Sequence, residues 1–183
     1  MNPTLFALCQ KPVLGPVLWI SSLCVFPPPL PETPISVSAP GQELSALFDV
    51  PVSKGYFFSL TVQFPSIDAR LNDTLIGAKY DVPCYGKDAK TAEDFPKDRR
   101  EVLGTPIRLH VTVKRLPDAT VVYNKDIASI CRAGHDLGTK KLQVLALTEL
   151  VEGKYSVEVK SLEARPDLAG LTTSFTIHSS SGK

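Results

Sequence analysis

The residues here best suited to chemistry are thiols and imidazoles. Cys131-Arg-Ala-Gly-His135 sets a thiol and an imidazole four residues apart, and Cys84 could supply a third ligand. Zinc sites usually show tighter paired spacing and a fourth ligand. A Cys84–Cys131 disulfide is the more economical reading if the domain is exported to an oxidising compartment. Such a bond would close a loop of about 50 residues, worth roughly 4 kcal/mol by loss of chain entropy. The other histidines, His110 and His178, lie on or at the ends of strand-like runs and read as surface residues. Asp68 and Asp73 are five apart on a short helical pattern and do not share a face. Glu93 and Asp94 sit in an irregular stretch, where nothing sets the separation that acid–base work by paired carboxylates requires. Gly-x-Ser-x-Gly elbows, His-Glu-x-x-His motifs, phosphate loops and EF-hand loops are absent from the sequence. No catalytic residue, cofactor or metal is expected.

A different kind of chemistry, recognition, is available in two segments that folding does not need. Residues 80–104 and 128–138 carry Tyr80, Tyr85, Phe95, Arg99, Arg100 and Arg132. Tyr, Trp and Arg are the types most enriched at interface hot spots. The expected disulfide would pin the two segments together, and we read them as the partner-binding surface. Packing of the aromatic residues on the domain, with the arginines paired to Asp94, Asp98 and Glu101, is the competing reading.

The elements that must position these segments are strands. Tyr56, Phe58, Leu60, Val62 and Phe64 fall on one face by strict period two, as do Ile107, Leu109, Val111 and Val113. Further strand-like runs are Pro34–Ser38, Glu43–Val50, Thr120–Ile127, Lys140–Leu150, Lys154–Leu162 and Leu171–Ile177. Between Ser66 and Ile76 the spacing of Ile67, Leu71 and Leu75 becomes helical, with Ser66 as N-cap, and predicts one amphipathic helix lying on the sheets. Turn chemistry between the runs argues an all-β fold, an Ig-like antiparallel β-sandwich of seven to eight strands with one short helix. Its last hairpin carries a Gly153 turn followed by a Tyr155 packed at the sandwich edge.

The chain has 183 residues, 43% apolar and 21% charged, with a net charge of +1. These are values for one globular domain, and the interspersed charges leave no footprint for nucleic acid. The reading divides the chain into four parts: a leader, 1–26; a Pro-rich spacer, 27–33; the sandwich, 34–178; and a disordered tail, 179–183. The leader is apolar, with Lys11 as its one cation, and reads as an export signal or membrane anchor. Ser21-Ser-Leu-Cys24 resembles a lipoprotein box with Cys24 as the acylated residue, although Leu23 replaces the small residue such boxes carry.

Taken in order, several of these features resemble a known family. They are the apolar leader ending near a Cys, the Pro-rich spacer, Tyr56–Phe64, the helix at Ile67–Ile76, Pro106–Val113, Gly153–Val159 and Arg165-Pro-Asp-Leu-Ala-Gly170. The chain is similar, over about residues 31–178, to the DUF5625 family of Gram-negative exported lipoproteins. The resemblance implies a β-sandwich in the periplasm, held at the membrane by a leader or lipid, with no catalytic residues to carry over. By analogy with small envelope lipoproteins, it implies an immunity protein that binds and neutralises another protein, a phospholipase-like effector of type VI secretion. A structural or assembly lipoprotein of the envelope is the second expectation. The leader carries its own prediction. On fractionation the protein should travel with membranes, and Cys24→Ala should release it; native full-length protein in the cytosol would contradict the export reading.

Overall fold

Among the described residues, period-two alternation of β-branched and aromatic residues folds as eight strands in two antiparallel sheets. A computed structural model describes residues 27–76, 97, 104–130 and 138–179. The strands are β1 (Leu30–Pro34), β2 (Glu43–Val50), β3 (Lys54–Gln63), β4 (Ile107–Arg115), β5 (Thr120–Ser129), β6 (Lys140–Leu150), β7 (Gly153–Ser161) and β8 (Thr172–Ser179). Sheet A has the order β1-β8-β3-β6 and sheet B the order β2-β7-β4-β5. Their inner faces supply the core: Phe58, Leu60 and Val62 from β3, Phe175 and Ile177 from β8, against Leu109, Val111 and Val113 from β4 and Val157 and Val159 from β7. Phe58 makes an edge-on contact with Tyr123 at 5.2 Å between ring centres, which joins the sheets. The expected all-β sandwich is therefore the fold.

The chain changes sheet twice at one end, in two arches that mirror each other. The first, between β2 and β3, passes from sheet B to sheet A; the second, between β6 and β7, passes back. Because β2 pairs with β7 and β3 with β6, the arches lie side by side, with Val50 opposite Gly153 and Lys54 opposite Leu150. Each is closed by a buried tyrosine reaching back four residues. The Tyr56 hydroxyl donates to Val52 O and the Tyr155 hydroxyl to Val151 O, both at 2.8 Å. The Glu152 N–H donates to Ser53 Oγ at 2.9 Å and ties one arch to the other. Gly153 has φ of +152°, a value that L side chains rarely adopt, where it opens β7.

Three expectations need correction. The first strand begins at Leu30, inside the stretch read as spacer, because the register with β8 shifts between Leu30 and Thr33 and accommodates the prolines on an edge strand. Ser66 does cap the helix, its Oγ accepting from Ala69 N at 3.1 Å, but α1 covers only Ile67–Leu71. Ile67 and Leu71 are 52% and 65% exposed, so the helix does not bury the face its spacing predicted. Asp73 explains the early stop. Its carboxylate accepts from the N–H groups of Leu75 and Ile76, turns the chain inward and buries Ile76 instead.

His178 is the third correction: it is not a free surface residue. It is half-buried on the outer face of sheet A, its Nε2 3.0 Å from Ser59 Oγ and its ring against Phe57 at 5.5 Å. Across the same face the edge strands are bridged by Lys140 of β6 and Glu32 of β1 at 2.7 Å. The small hydroxyl residues Ser59, Thr61, Ser174 and Thr176 lie buried on it.

Two outcomes follow. Tyr56→Phe and Tyr155→Phe each strip a hydroxyl from an arch carbonyl and should each cost about 1 kcal/mol in denaturant melts, with packing preserved. An unchanged midpoint for both would show that the arches do not depend on these bonds. For His178, burial lowers the pKa below the ordinary 6.5, so the unfolded chain takes up the proton first as pH falls. In that window the unfolded state holds more protons, so this contribution to stability is present above about pH 6.5 and declines below it. The wild-type minus His178→Gln difference in melting temperature should shrink as pH falls through that region; a pH-independent difference would refute it.

Candidate functional site

Antiparallel pairing sorts every connection to one of two ends. The arches and the β4–β5 hairpin occupy one. At the other lie the end of β3 with α1, the start of β4, the end of β5, the start of β6 and the turn between β7 and β8. The segments 77–103 and 131–137 therefore both leave from and return to this second end. Across the neck of the first, Thr105 N–H donates to Leu75 O at 3.1 Å.

Two ionic groups hold this end. On the sheet A side Lys141 Nζ meets Asp73 Oδ2 at 2.7 Å and Asp73 O at 3.1 Å, with the Phe64 ring 5.7 Å away. Both side chains are 3% exposed. Lys141 stands opposite Val62 in the β3–β6 register, so it belongs to the core face of the sheet. On the other side Arg165 is buried and grips Asp167 with two parallel bonds, Nε to Oδ1 at 2.8 Å and Nη2 to Oδ2 at 2.7 Å. Its Nη1 donates to Thr105 O at 2.7 Å and Pro106 O at 3.2 Å, and its backbone N–H to Val37 O. The Arg165 guanidinium holds the Asp167 carboxyl below the usual range.

The polar outer face of sheet B carries an Asp–His–hydroxyl chain. His110 Nδ1 lies 2.5 Å from Asp126 Oδ1, and His110 Nε2 lies 3.2 Å from Thr112 Oγ1. Nucleophilic chemistry would require the Thr112 proton to pass to the imidazole. That proton instead points to Asn124 Oδ1 at 3.0 Å. Both ring nitrogens are engaged, Nδ1 by Asp126 and Nε2 by the Thr112 hydroxyl, which is shared with Asn124. The row is a cross-strand polar ladder in solvent, with Asp126 72% exposed. Lys114–Glu158 and Lys160–Glu43 pair on the same face. Ser59 and His178 also make a hydroxyl–imidazole pair, but Ser59 is 0% exposed and beyond reach of a substrate.

At the arch end Pro27, Pro28 and Pro29 line, with Asp49–Pro51 and Glu152–Lys154, an open groove of about 380 Å³. Residues 27–29 thus sit at the end opposite the roots of segments 77–103 and 131–137.

Cys24, Cys84, Cys131, Tyr80, Tyr85, Phe95, Arg99, Arg100 and Arg132 all lie outside the described residues. What the structure places is the ground on which the two segments stand, and it lies at one end. Sequence reasoning gave Lys141 no role, took Asp73 only as a helical carboxylate, and took Arg165 and Asp167 only as part of a loop motif. A signal existed for Lys141, which shares strand parity with Gln143 and Leu145, and for Arg165-Pro-Asp167, whose spacing allows a local bidentate pair.

The fold has a counterpart in the crystal structure of a protein from Sulfurospirillum deleyianum. It is 18% identical, with a TM-score of 0.61, over 82% of this chain and 97% of that one. A carbohydrate-binding module from Cellvibrio mixtus lichenase 5A, in complex with cellotriose, aligns over 83% of this chain and 88% of that one. Its identity of 12% and TM-score of 0.33 are too low to bear on fold or ligand. A search of the curated proteins found no match. The family model for the domain of unknown function DUF5625 matches residues 32–179, from the first strand of the sandwich to the last residue of β8, and the chain belongs to that family.

Proposed function

We propose that this protein is a non-catalytic binding module of the Gram-negative cell envelope. In this reading it is anchored in the periplasm by its leader, through a lipid on Cys24, and inhibits a toxic effector enzyme by covering its active-site mouth. A phospholipase-type effector delivered by type VI secretion is the proposed partner. The observation that carries the reading is the polarity of the sandwich. Pro27–Pro29 enter at the arch end, and the roots of both long segments sit at the other. A domain tethered by its leader would then hold the segments carrying Tyr80, Tyr85, Phe95, Arg99, Arg100 and Arg132 away from the membrane.

The described part of that end offers a contact of suitable character. Ile67 and Leu71 are exposed on one side of α1, one turn apart, with Asp68 and Arg70 between them. Small apolar groups within a polar rim are the usual makeup of a specific interface, which buries about 1,200–2,000 Å² in all. Loops on a rigid scaffold are where binding chemistry usually resides. The paired face of sheet B has its charges already matched and offers less to a partner.

Protection in cells tests the proposal. The full-length protein, exported together with a phospholipase-type effector that is toxic in the periplasm, should restore growth. Arg99→Glu, Arg100→Glu and Arg132→Glu together should abolish that protection and weaken binding at least tenfold, with the melting temperature nearly unchanged. Undiminished protection by the triple variant, or a complex with the partner on the sheet faces, would overturn the assignment.

A further inference from the structure

The two ionic groups at the loop end form one connected structure. Lys141 holds Asp73, whose carboxylate also takes the N–H groups of Leu75 and Ile76 at 2.9 and 3.1 Å. Leu75 O then accepts from Thr105 N–H, and Thr105 O accepts from Arg165, which is locked to Asp167. The path runs from β6 in sheet A to the 3-10 turn Pro166–Leu168 before β8, crossing the entrance to β4. It passes through Thr105, the residue at which the chain re-enters the sandwich.

We infer that Lys141–Asp73 is a positioning bolt, which fixes the roots of the two loop segments relative to each other. The inference rests on the proposed role of this end. Three features separate the pair from an ordinary ion pair. It is desolvated, so its loss leaves an uncompensated buried charge, and breaking such a pair is far costlier than breaking a surface one. Every oxygen of the Asp73 carboxylate is in use, so the side chain cannot turn without releasing the 75–76 turn. Its members flank different segments: Asp73 lies four residues before 77–103, and Lys141 lies four residues after 131–137. Lys140 repeats the device on the opposite face of β6 by pairing with Glu32. Consecutive lysines thus clamp the start of this edge strand from both sides. The bolt delivers pre-organisation, because segments whose roots are fixed lose less freedom when a partner binds.

Amide hydrogen exchange on the free full-length protein tests this without any partner. In Lys141→Met the amides of Leu75, Ile76 and Thr105 should exchange at least tenfold faster than in wild type, whereas those of Phe58, Leu60, Val111 and Val157 should keep their rates. The double variant Lys141→Met with Asp73→Asn removes the stranded charge, and should fold even if the single variant does not. It should show the same fast exchange at Thr105. Wild-type exchange at Thr105 in a folded variant would overturn the bolt, as would acceleration spread evenly over the core. Since no partner enters the experiment, failure of the effector assay with a positive exchange result would remove the functional reading and leave the bolt standing.

Discussion

The structure depends on two arches that must cross from one sheet to the other side by side. A β-sandwich needs its chain to change layer, and each change leaves backbone groups turned away from both ladders. Here the strands that enter and leave the arches are paired with each other, β2 with β7 and β3 with β6, so neither arch can shift without its counterpart. Tyr56 and Tyr155 satisfy a carbonyl in each arch while placing an aromatic ring in the core. Phe48 of β2 stacks on Tyr155 of β7 at 5.5 Å, across the neighbouring strand in sheet B. One residue type thus serves as core filler and as the hydrogen-bond partner of an arch carbonyl.

Fixing one end this way leaves the other end free to vary. Among the described residues the other end is held by charge: a buried Lys–Asp pair on one side, a bidentate Arg–Asp pair on the other, and Thr105 between them. Buried ion pairs contribute little net stability compared with apolar packing but penalise alternative arrangements heavily. That suits a region whose value lies in geometry. The arch end receives Pro27–Pro29, and the other end holds the residues that flank segments 77–103 and 131–137.

Much of this architecture was legible because period two is a strong signal. Tyr56–Phe64 and Pro106–Val113 alternate cleanly, and both became central strands. The Gly153 turn, read as a hairpin entry with Tyr155 at the sandwich edge, is instead an arch, because β6 lies in sheet A and β7 in sheet B and Tyr155 is buried in the core. The failures were non-local. Helical spacing at Ile67, Leu71 and Leu75 predicted burial, but Asp73 cut the helix through bonds to its own following backbone, and only tertiary packing decided that Ile76 would go inside. Lys141 looked like the polar start of a strand, because nothing near it in sequence announces a carboxylate 68 residues away. His178 looked exposed because its cover, Phe57 and Ser59, comes from β3.

The central claim is that the loop end, held away from the tether, is the surface that meets a partner. The most direct measurement is a hydrogen-exchange map of the full-length protein with and without the partner captured by it from an envelope extract. The account predicts protection confined to Ile67–Ile76, the Thr105 region and the segments 77–103 and 131–137, with the arches unchanged. Protection centred on the outer face of sheet B, along β2 and β7, with the loop end unaltered, would contradict it.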